Sequence, residues 1–150
     1  MPFYQFFQSF TISGPQGFVF VVNRIDIRRF SIDTITPELV VSADQTNILF
    51  LDFNFDTRHI YWSDRKYDSY DSIRRAPVDN GSDIEVIIEG NLEGPEGLAV
   101  DWINKKLYWI DTNSTAPEIE VADLNGRNRM SLIQEDLQKP RAIAVHPFLG

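Results

Sequence analysis

The sequence contains no cysteine, and this absence removes several classes of chemistry at once. Without a thiol the chain can form no disulfide framework, no thiolate metal site and no cysteine nucleophile. Histidine is scarce as well: His59 and His146 are the two copies, and neither belongs to a Ser/His/Asp pattern. No apolar run approaches the roughly 18 residues that cross a bilayer, so no direct membrane insertion is expected. The N-terminal MPFYQFFQSF also lacks the basic region and cleavage site of a signal peptide.

Positive charge is the next shortage. Fourteen Lys and Arg face 22 Asp and Glu, which gives a net charge of −8 and an isoelectric point near 4.6. Such a balance disfavours nucleic acid and anionic membranes and favours basic or neutral protein partners. The 150 residues, 43% of them apolar, are enough for one buried core.

An internal repeat organises the chain. HIYWSD at 59–64 matches KLYWID at 106–111, and GNLEGPEGLAV at 90–100 matches EDLQKPRAIAV at 135–145. Upstream, ILFLDFNF at 48–55 takes the place of PEGLAVDW, and FVVN at 20–23 takes the place of YWSD. One repeat unit is predicted to contain four short strands with turn residues between them, namely Leu98–Trp102, Leu107–Ile110, Ile119–Leu124 and Met130–Gln134. Four strands in about 45 residues are typical of a β-propeller blade.

The predicted fold is therefore all-β, built from four-stranded antiparallel blades with boundaries near residues 47 and 94. LAV and LYW are apolar on both strand faces, so neighbouring blades are expected to cover them above and below. Residues 1–17 form a separate aromatic segment, predicted to be a strand or collapsed stretch that covers an edge.

The motifs YWSD, YWID, PEGLAVDW and DLQKPRAIAV resemble the YWTD (class B) repeats of the low-density lipoprotein receptor family, over roughly residues 18–150, and most closely the Wnt co-receptor type. This resemblance implies a six-bladed propeller. Only about three blades are expected here as an open arc: the end of one, two full blades and the first strand of a fourth, truncated at 150. The resemblance also implies an EGF-like module in the full-length parent.

Six repeat residues are interpreted as structural. Because alternation directs neighbouring rings to opposite strand faces, two aromatic pairs are expected to pack between blades rather than stack on a ligand: Tyr61 with Trp62 and Tyr108 with Trp109. Asp64 and Asp111 end the same strands, where a carboxylate can accept backbone N–H bonds from an adjacent turn. The resemblance implies the same structural role for these two aspartates.

Function is expected in the loops at one end of the blades. Propeller connectivity assigns to this face the loop 65–71 and the residues Arg24, Asn47, Glu93, Glu96, Asn113, Glu118 and Arg141. Its rim is expected to be mixed but mainly acidic. The resemblance implies that secreted protein ligands dock there, and that the chain is a non-enzymatic, extracellular or cell-surface module of an endocytic or signalling membrane receptor.

An alternative from another class is a calcium-dependent lactonase or esterase on a six-bladed propeller. DFNFD at 52–56 imitates a calcium loop but has Thr57 and Ser63 where Gly and Glu are required. No cofactor or bound metal is therefore expected. Asn80 and Asn113 each begin an N-glycosylation triplet in a predicted turn. The open blade edges also predict self-association.

Overall fold

A computed structural model describes residues 17–42, 47–66, 70–112 and 116–148, and these residues form three antiparallel sheets. The first sheet contains β1 (Phe18–Val22), β2 (Asp26–Ser31) and β3 (Pro37–Ser42). The second contains β4 (Asn47–Asn54), β5 (His59–Arg65), β6 (Ser72–Pro77) and β7 (Glu85–Glu89). The third contains β8 (Pro95–Asp101), β9 (Lys106–Asp111), β10 (Glu118–Asp123) and β11 (Met130–Ile133).

Each sheet is a meander in which sequence neighbours pair, as in a propeller blade. β4 begins the second sheet and β8 begins the third, and the two strands contact each other, as β1 contacts β4. We call β4 and β8 the inner strands of their sheets. Burial falls from the inner to the outer strands, since β8 is buried or half-buried throughout, whereas β11 is half-buried at one position and exposed elsewhere.

The predicted four-strand repeat unit is confirmed in the second and third sheets. Leu98 and Leu51 lie opposite the tryptophans of the neighbouring strands, Trp109 and Trp62, and both inner strands carry a register irregularity just before that position. The first sheet has three described strands. The expected first strand of a fourth blade is not formed, because residues 134–148 have no strand partner among the described residues. The aromatic segment 1–17 lies, except for Gly17, outside the described residues.

Two apolar clusters join the sheets. The first connects the first and second sheets and includes Phe20, Ile27, Val41, Leu51 and Trp62. The second connects the second and third sheets and includes Tyr61, Ile73, Leu98, Leu107 and Trp109. The neighbours Tyr61 and Trp62 thus pack against opposite sheets, which explains why β5 is apolar on both faces. No described helix is long and apolar enough to span a membrane.

Candidate functional site

Two aspartates fix the backbone at the end of the sheets where the candidate ligand face lies. The backbone N–H of Asn47, at the start of β4, donates to Asp64 Oδ1 over 3.1 Å. The backbone N–H of Glu93 donates to both carboxylate oxygens of Asp111, over 3.1 and 3.2 Å. Each carboxylate lies at the end of the second strand of its sheet, at its last or second-last residue, and accepts from the backbone that leads into or begins the inner strand. This geometry is the one expected of Asp64 and Asp111.

The energetic cost of burying these two carboxylates is offset by a different arginine in each sheet. Asp64 is fully buried, and this burial raises its pKa above the usual range, although the nearby Arg74 guanidinium, with Nε 3.2 Å from Oδ2, opposes the rise. In the third sheet Arg129 pairs with Glu120 over 2.7 Å and lies 4.0 Å from Asp111. Arg129 also lies over the Trp109 ring, with Cζ 5.5 Å from the ring centroid.

A third aspartate, Asp71, couples the second sheet to the third at this end. Its Oδ1 accepts the backbone N–H of Lys66 over 3.0 Å, and its Oδ2 accepts that of Gly94 over 2.7 Å. Asp71 therefore holds the turn that precedes β8. The sequence predicted that the loop 65–71 lies on this face. It did not indicate the role of Asp71, because the partner Gly94 lies 23 residues further along the chain.

Beside this turn lies an open groove of about 450 Å³. It is lined by Arg65, Glu96, Thr112, Pro117, Lys139, Pro140 and Arg141. Two residues of the predicted face meet in it, since Arg141 Nη1 lies 2.9 Å from Glu96 Oε1. The Glu96 side chain is only 14% exposed and that of Arg141 is 73% exposed, so the arginine is the one presented to solvent.

The charge of the groove differs from the mainly acidic character expected of the rim as a whole. Three basic side chains, Arg65, Lys139 and Arg141, line it together with one carboxylate, Glu96. The ion pair with Arg141 also compensates that carboxylate. The chain as a whole carries −8, yet the groove is locally basic because the acidic groups around it are turned inward to bind backbone N–H groups.

The other predicted face residues that the structure describes lie at the same end but outside the groove. Arg24 is exposed and forms a bridge to Ile48, and Glu93 is exposed. Asn47 is half-buried. Glu118 is turned toward its own outer strand, where it accepts hydrogen bonds from Ser131 and Gln134, and the Ser131 bond lowers the Glu118 pKa. Asn113 lies outside the described residues.

The remaining predicted positions lie elsewhere. Asn80 is exposed in the turn after β6, and its Nδ2 donates to Asp83 over 2.7 Å. His59 begins β5 and bonds through Nδ1 to the Thr57 carbonyl over 2.8 Å. Asp52, in the rejected calcium-loop stretch, accepts the Val100 N–H and so links the two inner strands. In the described parts of the chain, no group of three or more His, Asp or Glu side chains could hold a metal ion.

The profile of the low-density lipoprotein receptor repeat class B matches residues 58–102 and 105–147. These two matches cover more than half of the chain. The chain belongs to this family. The first class B repeat contains β5 to β8 and the second contains β9 to β11, so each repeat runs from a Tyr-Trp strand to the inner strand of the following sheet, or to its place in the chain.

Two curated relatives are named as low-density lipoprotein receptor-related proteins. The chain is 36% identical over 130 residues to low-density lipoprotein receptor-related protein 5 of Mus musculus, which covers 85% of this chain and 8% of the relative. It is 40% identical over 92 residues to the human low-density lipoprotein receptor-related protein 5-like protein, covering 61% of this chain and 34% of the relative. The chain thus spans about a third or less of these relatives' lengths.

Solved structures show the same fold. A chain of a nidogen/laminin complex superposes with a TM-score of 0.80 at 26% identity, covering 93% of this chain and 51% of that one. A gluconolactonase from Xanthomonas campestris superposes with a TM-score of 0.70 at 16% identity, covering 91% of this chain and 51% of the enzyme chain. The likeness to the lactonase shows the fold alone, whereas the class B repeats also share sequence with receptors.

Proposed function

We propose that the chain is a non-enzymatic protein-binding module of an extracellular or cell-surface receptor, of the lipoprotein-receptor-related type that includes Wnt co-receptors. Membership of the class B repeat family, matched over two consecutive repeats, carries this proposal. The relatives named as receptor-related proteins support it, and so does the neighbour solved in a complex of two proteins, nidogen and laminin. An EGF-like module in the full-length parent belongs to the same proposal.

The ligand is a secreted protein that docks on the end bearing Arg24, Glu93 and the basic groove. The groove lining favours an acidic or carbonyl-rich loop of the ligand, because Arg65, Lys139 and Arg141 supply donors and positive charge. Arg141 is well placed for this contact, since Glu96 holds its guanidinium at the groove while most of the side chain stays exposed.

A displayed library of cyclic peptides, selected against the chain, tests the face. We expect the enriched peptides to carry Asp or Glu, and Arg65→Glu to weaken their binding about tenfold or more with a smaller salt dependence. Arg127→Glu is the matched control, because it makes the same charge change in the exposed turn at the opposite end. Equal losses from both variants would show that net charge, and not this face, determines binding.

Calorimetric titration with Ca²⁺ distinguishes the lactonase alternative. A receptor module of this type should give no saturable calcium heat, whereas a lactonase of the alternative class requires its ion. Saturable binding together with calcium-dependent hydrolysis of a simple lactone would replace the proposed function with the enzyme.

A further inference from the structure

Among the described residues, the first sheet has one strand fewer than the other two. β5 is flanked by β4 and β6, and β9 by β8 and β10, so each Tyr-Trp strand has a partner on both sides. β1 occupies the same position in its sheet, yet among the described residues it pairs only with β2. Its inner edge therefore presents backbone donors and acceptors to an additional strand.

Residues 140–147 are the counterpart of this gap. PRAIAVHP repeats the sequence PEGLAVDW that forms β8, with Pro140 equivalent to Pro95, but it has no ladder in the described chain. No described strand supplies its backbone groups with the partners that β9 supplies to β8.

This segment already lies where an inner strand belongs. Arg141 contacts Glu96, and a Cβ added to Gly97 would lie 3.1 Å from Ile143 N. At the other end, the Phe148 ring packs edge-on against Trp102 with centroids 5.8 Å apart. Residues 141–148 therefore run beside β8 in the same direction, as an inner strand of a following sheet would.

We propose that a second copy of this chain fills the gap: residues 141–147 of each copy pair antiparallel with β1 of the other. The chain covers 51% of the superposed chain of the nidogen/laminin complex, so two copies together match the length of that chain. In the proposed dimer they are related by a twofold axis along the central channel. Each copy then has a complete four-stranded first sheet and a paired segment 141–147. This pairing also covers the unpaired edge of β1 and the unpaired residues 141–147 in both copies.

The repeat determines the register of this exchange. Leu98 lies opposite Trp109 and Val100 opposite Leu107 in the third sheet. Transferred by the repeat, Ile143 of one copy lies opposite Val21 of the other, and Val145 lies opposite Val19. All four side chains are apolar and half-buried, so the pairing buries apolar surface and brings no like charges together.

Cysteine cross-linking tests this register, because the chain has no cysteine of its own. Chains carrying Val21→Cys and chains carrying Ile143→Cys are mixed and mildly oxidised. We expect a disulfide-linked species of twice the 17.3 kDa chain mass on a non-reducing gel, since directly opposed residues have suitable Cα separations. Either variant alone should stay uncross-linked, because the twofold axis keeps identical positions apart.

Val86→Cys, in the outer strand β7, is the matched control when mixed with Ile143→Cys. Equal cross-linking with this control, or cross-linking of Val21→Cys alone, would overturn the proposed exchange. Light scattering of the unmodified chain should give the dimer mass, and Ala144→Pro should give a monomer with an unchanged near-ultraviolet spectrum, because proline removes a ladder N–H. A monomeric full chain that dimerises only when residues 1–16 are deleted would show that this segment fills the edge instead, and would also overturn the proposal.

Discussion

At the scale of single residues, Asp52 is the side chain with the clearest consequence for stability. Burial raises its pKa from an ordinary 3.8 to about 6, although the backbone N–H groups of Val100 and Phe53 bond to it and oppose the rise. The folded state therefore holds this proton more tightly than the unfolded state. Its contribution to stability is complete below pH of about 4 and is lost as the pH rises through about 6, a difference of about 3 kcal/mol.

We expect the free energy of unfolding of the unmodified chain to fall between about pH 4 and 6 relative to that of Asp52→Ala. Alanine is the residue that β8 has at the equivalent position, Ala99. The variant leaves the Val100 N–H without its acceptor and loses stability at every pH, so the informative quantity is the pH slope in urea titrations. Asp64, whose pKa is also raised, contributes a slope of the same sign in both proteins. Parallel pH profiles would contradict the assignment.

The aspartates also show how far single residues could be predicted. Asp64 and Asp111 recur at the same place in two repeats and each accepts a backbone bond from the turn beside it, so the sequence indicated their roles. Asp52 and Asp71 have no counterpart in the other repeat. Their partners lie 48 and 23 residues away, and only the arrangement of the sheets brings them together.

At the scale of elements, the turns between the third and fourth strands lock neighbouring sheets together. A Cβ on Gly81 would lie 1.5 Å from the carbonyl oxygen of Val40 in β3, and one on Gly126 would lie 1.9 Å from that of Ile87 in β7. The sequence predicted turns at these places, between the strands of one repeat unit. The contact of these turns with the preceding sheet could not be predicted, because neither the turn sequence nor the strand sequence indicates which residues the other contacts.

Gly126→Ala is expected to lower the free energy of unfolding by about 2–4 kcal/mol. Part of this is the cost of a Cβ at φ +79, and the rest is the displacement of β7. Gly90→Ala is the control, because Gly90 has a φ of +80 and no atom within 4 Å of the added carbon. The difference between the two variants, measured by denaturant titration, isolates the contact between sheets. Equal losses would show that only backbone strain is at work.

Residues 140–147 show how far a β-strand can be predicted from the sequence alone. Their sequence predicts an inner strand as clearly as that of β8 does, yet the described chain forms no ladder there. Hydrophobic pattern specifies which residues suit a buried strand, but pairing also requires a neighbour. The groove also depends on the arrangement of the sheets, since its basic lining comes from the end of β5 and from residues 139–141, and its charge is opposite to the net charge of the chain.

At the scale of the whole molecule, the two apolar clusters share no residue, and this separation predicts how the chain unfolds. Trp62 lies in the cluster between the first and second sheets, and Trp109 in the cluster between the second and third. Each is at most 1% exposed. In an array of repeats, stability is close to a sum of repeat and interface terms, so damage at one interface should leave the other intact.

We expect Trp62→Ala and Trp109→Ala each to cost about 3–5 kcal/mol through the cavity left behind, and Asp111→Asn to cost less than Trp109→Ala. Hydrogen exchange should rise mainly in β1 to β3 for Trp62→Ala and mainly in β8 to β11 for Trp109→Ala. Tyr108→Ala is the local control, because this half-buried ring belongs to neither cluster and its loss should cost less. Since the two tryptophans have no shared partners, the double variant should lose the sum of the two within about 0.5 kcal/mol. A clearly smaller or larger loss, or exchange that rises evenly in all three sheets, would show that the sheets form one cooperative unit.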